Sequence, residues 1–164
     1  MKYKWIILII VILAIIGILV FLLTRKEKVE IKDLKTLHYS YSNGYGMYAY
    51  AYYDIKCDSK CTITIKPSGF PDESEKTYDM DDNSINSIIN ILNKYEVSTW
   101  DGFDKSAKDV LDGNSFSFSL KTKDGYSVDA KGYMMWPDNY RNVRDELEDI
   151  FISFINEGDF NREG

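Results

Sequence analysis

Tyr53-Asp54-Ile55-Lys56-Cys57-Asp58-Ser59-Lys60-Cys61-Thr62-Ile63-Thr64-Ile65 alternates apolar and polar side chains on both sides of a polar break, Asp58-Ser59-Lys60. A period of two is the pattern of a strand with one buried face. If Cys57 faces Cys61 across that break, Ile55 falls opposite Ile63 and Tyr53 opposite Ile65. All six side chains then share one face, and Asp54, Lys56, Thr62 and Thr64 share the other. A slip of one residue would turn one strand's apolar set toward solvent, so the register is strongly specified. The same register brings Cys57 and Cys61 within bridging reach and predicts a disulfide. The chain has only these two cysteines and one histidine, His38. That is too few soft ligands for a zinc site, and the cysteine spacing is not C-x-x-C. A disulfide suits an oxidising compartment outside the cytoplasm.

Working outward, the stretch Leu34 to Ser42 reads as a preceding strand. It is followed by Asn43-Gly44, a strong hairpin signal because both residues tolerate positive φ. The run Tyr45 to Cys57 is expected to pair back on it. Pro67, Ser68, Gly69 and Pro71 end the strand after Cys61, and Thr77 to Met80 suits a further short strand. Asp81, Asp82 and Asn83 are N-cap candidates for a helix whose Ile85, Ile88, Ile89, Leu92 and Tyr95 keep helical spacing. Residues 98 to 115 follow neither period. Phe116, Phe118 and Leu120 then alternate with serine and lysine. A three-residue loop at Lys123-Asp124-Gly125 sets Leu120 against Val128 and Phe118 against Ala130, whereas a two-residue loop would set Leu120 against Asp129. Pro137-Asp138-Asn139 opens a last helix with Tyr140, Val143, Leu147, Ile150, Phe151 and Phe154 on its apolar side. The order predicts an α+β domain: an antiparallel sheet of four to six strands with two helices on one face.

Before this domain, Trp5 to Leu23 runs for 19 residues without a charge. As a helix it would reach roughly 28 Å, close to the ~30 Å hydrocarbon core of a bilayer. The expected organisation is a short tail at 1–4, a transmembrane helix at 5–23, a charged juxtamembrane linker at 24–33 and a single domain at 34–164. No A-x-A cleavage pattern follows the run, which favours an uncleaved, single-pass signal-anchor. Lys2 and Lys4 precede it, and Arg25, Lys26 and Lys28 follow, so charge leaves its direction nearly tied. The very short tail favours a domain on the extracytoplasmic face of the cell membrane. Residues 30–164 hold 15 Lys plus Arg against 25 Asp plus Glu, a formal charge of −10. Such a domain repels phosphates, which excludes nucleic acid as the expected partner.

Two groups of residues are candidates for function. Tyr48, Tyr50 and Tyr52 fall on the face opposite Tyr53 and Ile55; on a helix-free face they would form an aromatic binding stripe. The alternative role is cross-strand stabilisation. The irregular segment 98–115 holds Trp100, Asp101, Phe103, Asp104, Asp109 and Asp112. Its aspartates could gather a hard cation or supply paired carboxylates, although the spacing is not that of an EF-hand. Asp-Gly pairs are also turn formers, and Trp100 and Phe103 suit a core plug. His38 has no nucleophile pattern around it and reads as a strand residue. No cofactor is expected.

The segments Trp100-Asp101-Gly102-Phe103, Val110-Leu111-Asp112-Gly113, Ser115-Phe116-Ser117-Phe118, Gly132-Tyr133 and Pro137-Asp138-Asn139-Tyr140 resemble a group of uncharacterised bacterial membrane-anchored or exported proteins, over about residues 34–156. The resemblance implies a bacterial envelope protein and carries no activity, cofactor or catalytic residue with it. Three function classes follow in order. The first is a binding module that contacts another envelope protein or polymer, with the bilayer as a further partner through residues 5–23. The second is an envelope hydrolase or cation-dependent enzyme using the 98–115 aspartates. The third is a structural accessory subunit.

Overall fold

The computed structural model describes residues 2–24, 27–44, 50–70, 74–110 and 112–160; within its first helix, side chains are described for Tyr3 and residues 6–17. Tyr45, Tyr48, Leu111 and the side chain of Trp5, all named above, lie outside the described residues. The elements run α1 (Lys2–Thr24), β1 (Thr36–Ser42), β2 (Tyr50–Cys57), β3 (Cys61–Lys66), β4 (Lys76–Met80), α2 (Asp82–Lys94), a 3-10 turn (Val97–Trp100), β5 (Phe103–Ser106), β6 (Ser115–Lys121), β7 (Ser127–Tyr133) and α3 (Tyr140–Ile152).

The seven strands form one sheet in the order β4-β3-β2-β1-β6-β7-β5. Cys57 pairs with Cys61, Ile55 with Ile63 and Tyr53 with Ile65, the register that the alternation requires. Leu120 lies opposite Val128 and Phe118 opposite Ala130. Cys57 and Cys61 are joined by a disulfide with their Cα atoms 4.0 Å apart. The apolar positions of β1, β2, β3, β6 and β7 point to one side, where Ile88 and Leu92 of α2 and Val143, Leu147 and Phe151 of α3 complete a single core. Fully burying a side chain of this size contributes about 1.5–3 kcal/mol. Helix α2 starts where Asp81 accepts the Ser84 N–H at 2.8 Å, and it carries Asp82 in its first turn and Lys94 in its last, in keeping with the helix dipole.

Three expectations need correction. First, among the described residues no helix is long and apolar enough to cross a membrane, which overturns the single-pass transmembrane helix placed at 5–23. Side chains of α1 are described for the run 6–17. The large apolar side chains described in this run, Ile6 to Ile16, are exposed. Second, among the described residues the sheet has seven strands rather than four to six. Third, it is mixed: β5 runs parallel to β7, with Phe103 beside Ala130 and Asp104 beside Lys131. Four residues with one apolar side chain carry no readable period, so the composition of 98–115 did not betray this edge strand. Its shortness and its exposed Asp104 and Lys105 blunt the sheet edge against further pairing.

The turn after β1 also differs. Ser42 pairs with Tyr50 and Tyr41 with Ala51, so seven residues separate the strands instead of the two of an Asn43-Gly44 turn. A two-residue turn would have opposed Leu37 to Tyr50 and sent Tyr53 and Ile55 to the wrong face. Core burial therefore overrides the local turn signal.

Residues 27–33 lie against the domain. Ile31 is 1% exposed, and its N–H and C=O both bond the Asn93 amide, each at 2.8 Å. The Val29 N–H donates to Ser98 Oγ, Lys28 pairs with Glu96, and Asp33 accepts the Lys123 N–H.

Candidate functional site

A cleft of about 310 Å³ opens where the end of β1 and the start of β6 meet the first three turns of α3. Tyr41, Ser42 and Asn43 supply one side, Asn114 and Ser115 another, and Trp136, Tyr140, Arg141, Arg144 and Glu148 the third. A pocket with aromatic walls and a few convergent polar groups is the usual form of a small-ligand site.

Local structure fixes these side chains. Trp100, buried in the core, donates its indole N–H to the Asp138 carbonyl at 3.0 Å and so anchors the approach to α3. Asn139 turns the chain with a left-handed φ of 61°, a conformation that asparagine tolerates better than most residues. Tyr140 then stacks on Trp136, with ring centroids 4.7 Å apart, and packs on Phe116 at 4.6 Å. Val143 and Leu147 enter the core, and their C-terminal neighbours Arg144 and Glu148 are set on the flank of the buried face. Arg141, Arg144 and Glu148 follow the i, i+3, i+7 spacing of one helical stripe.

The electrostatics single out Glu148. Its Oε1 is shut off from solvent and has no hydrogen-bond partner among the described residues. Burial pushes its carboxyl above the ordinary glutamate value, and Arg144 offsets part of that shift. Beneath it, the Tyr39 and Tyr140 hydroxyls bond each other at 3.0 Å. Burial pushes Tyr140 up to about 12 and raises Tyr39 and Tyr41 as well, with Glu148 adding to the rise for all three. Arg144 directs Nε and Nη2 to Asp145 at 2.8 and 2.6 Å. Arg141 is exposed and makes no ion pair among the described residues. The cleft thus offers an uncommitted guanidinium, aromatic side chains and neutral amide and hydroxyl groups. A titratable group displaced by burial within a cleft marks a functional candidate.

The residues singled out from sequence lie elsewhere. Tyr50 and Tyr52 project from the opposite, polar face of the sheet, where their rings are 5.8 Å apart and His38 stacks on Tyr52 at 6.5 Å. The Tyr52 hydroxyl is tied to Glu75, and Lys66, 1% exposed, donates to the Tyr50 carbonyl at 2.6 Å. On this face His38 joins Asp54 through Nδ1 at 2.7 Å and Ser40 through Nε2 at 3.2 Å. That chain has the connectivity of a nucleophile, a base and an orienting acid. However, Ser40 is only 2% exposed, and β1 is paired on both edges. Its backbone N–H groups are spent on the ladders and none is offered to an oxyanion.

The aspartates of 98–115 have separate tasks. Asp101 accepts the Asp129 N–H at 3.0 Å, which fastens the turn to β7, and Asp104 pairs with Lys131 at 3.1 Å on the open face. Asp112 is exposed. No group of three or more His, Cys, Asp or Glu among the described residues could hold a metal ion. Trp100 is a core residue, packed edge-on against Phe116 and Phe118, and Phe103 packs beside Phe116.

Sequence reasoning passed over Trp136, Arg141, Arg144 and Glu148. One signal was present. Residues 30–164 contain three arginines, and two of them fall one turn apart on α3 within a strongly acidic domain. No protein-family model, curated protein or solved structure matches this chain.

Proposed function

We propose that this chain is a non-enzymatic binding module whose ligand occupies the cleft between the β1 and β6 ends and α3. The observation that carries the reading is the cleft itself, whose lining brings together Trp136, the exposed Arg141 and the half-buried Glu148. The aspartates committed to Asp129 and Lys131, and the missing oxyanion donors near Ser40, support binding over catalysis. The Cys57–Cys61 bridge supports an oxidising, extracytoplasmic compartment.

The test is a thermal-shift screen of the full chain against separate pools of sugars, amino acids, nucleotides and organic amines, run beside Glu148→Met. A ligand that binds only the native state raises its melting temperature by mass action. At least one pool should raise the melting temperature of the native chain and leave that of the variant unchanged. If no pool does so, or if native and variant respond alike, the reading fails.

A further inference from the structure

We infer that β4 is an interface for a second copy of this chain, paired antiparallel about Tyr78 so that two sheets become one. β4 and β5 are the outer strands of the sheet. Among the described residues the only main-chain partner of β4 is β3, and its Thr77 and Asp79 are exposed. An unpaired edge strand is a template for another strand. The cleft lies among β1, β6 and α3 and takes no part in this contact.

The ladder fixes which groups of β4 are free. The Cys57 N–H donates to the Lys35 carbonyl at 2.8 Å, on the β1 side of β2. Main-chain groups alternate sides along an antiparallel strand. Those of Tyr52, Asp54 and Lys56 therefore serve β3, and those of Cys61, Ile63 and Ile65 serve β4. Lys76, Tyr78 and Met80 serve β3 in return. Thr77 and Asp79 are left with N–H and C=O directed outward, so each copy offers two donors and two acceptors.

One register satisfies them all. A two-fold axis at Tyr78 sets Thr77 opposite the partner's Asp79 and Asp79 opposite the partner's Thr77. Each such pair exchanges two hydrogen bonds, so every free donor of both copies meets a free acceptor. On the open face each Asp79 carboxylate then lies beside a Thr77 hydroxyl. Thr77 Oγ1 bonds Thr64 Oγ1 at 2.8 Å; with Thr64 as donor, Thr77 keeps its own hydrogen for the partner's Asp79. On the core side Tyr78 meets the partner's Tyr78, an aromatic cross-strand pair, and Lys76 lies opposite the partner's Met80. The neighbouring registers that keep the core faces together are worse. An axis at Thr77 sets Glu75 against the partner's Asp79, and an axis at Asp79 sets that carboxylate against the partner's Asp79. Both oppose like charges, which destabilises a pair of strands. This self-complementarity, in donors and in charge, selects a second copy over an unrelated strand.

The experiment is sedimentation equilibrium of the full chain, native and with Thr77→Asp or Thr77→Lys. It is run in about 0.15 M salt, which screens the net negative charge of the domain. The native chain should form a dimer. Thr77→Asp places a carboxylate opposite the partner's Asp79 on both sides of the axis and should raise the dissociation constant about five-fold. Thr77→Lys places an ammonium there and should lower it by a similar factor. Both variants lose the same bond to Thr64, so an effect on folding alone would move them in the same direction. Oxidative cross-linking reads the register. Tyr78→Cys should join two copies, because opposed residues at this kind of position lie about 4.5 Å apart at Cα, within disulfide reach. Lys76→Cys should not, because its two copies would lie about 14 Å apart along the strands. A monomeric native chain, as a different partner protein would leave it, overturns the inference. So does equal dimer strength in the two Thr77 variants, the result expected if the exposed helix α1 held the copies together. Cross-linking no faster at position 78 than at position 76 overturns it as well.

Discussion

Replacing Glu148 with methionine should stabilise the unliganded protein, and the gain should depend on pH. The substitution keeps a similar volume and removes an acceptor that is shut off from solvent and unpartnered among the described residues. An unsatisfied buried polar group costs about 1–3 kcal/mol. Glu148 is only half-buried as a residue, so solvent screens part of the penalty and about 1 kcal/mol is the reasonable magnitude. For a domain of this size that corresponds to about 3–5 °C in melting temperature. The sign of the pH effect follows from the raised carboxyl of Glu148. The unfolded chain gives up this proton near 4.5, the ordinary value, and the folded chain only at higher pH. Native stability from this group is therefore complete below 4.5 and is lost as pH rises through the folded value. The advantage of Glu148→Met should be small at low pH and grow toward neutrality. Thermal melts of both proteins on either side of that window measure it. A variant that melts lower than the native chain at neutral pH, or a difference that does not change with pH, would refute the reasoning. Ligand binding should be lost in the same variant, the usual exchange of function for stability.

Three further outcomes are expected. Asn93→Ala removes both bonds to the Ile31 backbone and should cost about 2 kcal/mol in urea unfolding, two hydrogen bonds at about 1 kcal/mol each. Amide exchange at residues 29–33 should rise by more than elsewhere. Gly132→Ala would place a methyl carbon 2.1 Å from the Met135 carbonyl oxygen and 2.6 Å from Phe116; it should cost at least about 2 kcal/mol by overpacking, measured by chemical denaturation. Asp159 is held well below the ordinary aspartate range by the Asn156 N–H, Lys76 and Tyr78. Its contribution is present above the unfolded value of 3.8 and is lost as pH falls through the folded value. Asp159→Asn should therefore melt lower than the native chain at neutral pH and converge with it in acid.

The legible parts of this molecule are those where a period of two or 3.6 is backed by burial. The β2–β3 register follows from two alternating runs that admit one alignment, and the β6–β7 register from Leu120 needing Val128. Helix α2 announces itself through Asp81 and the spacing of Ile88 and Leu92. Where length or tertiary context decides, the sequence is silent. Phe103–Ser106 is too short to show a period, and its place beside β7 depends on a non-local pairing. Asn43-Gly44 signals a tight turn that the core overrules. The cleft was harder still, because its members come from three separate stretches of chain. Glu148 looks like any solvated helical acid until the packing of Tyr39, Tyr41 and Tyr140 around it is known.

The strand order has a kinetic meaning. Residues 36–80 build β1 to β4 as a meander of neighbours, and residues 115–133 build β6 and β7 as a hairpin. Only the β1–β6 seam joins the two within the sheet, and its partners are about eighty residues apart in the chain, with Ser42 opposite Ser115 and Thr36 opposite Lys121. Local pieces form early, whereas contacts of such long loop closure form late, so annealing of this seam is the expected slow step of folding. The cleft sits at one end of that seam, with Tyr41 and Ser42 on one side and Ser115 on the other. A ligand seated there would act as a clasp across the last joint to close, and its signature would be a slower unfolding rate with an unchanged folding rate.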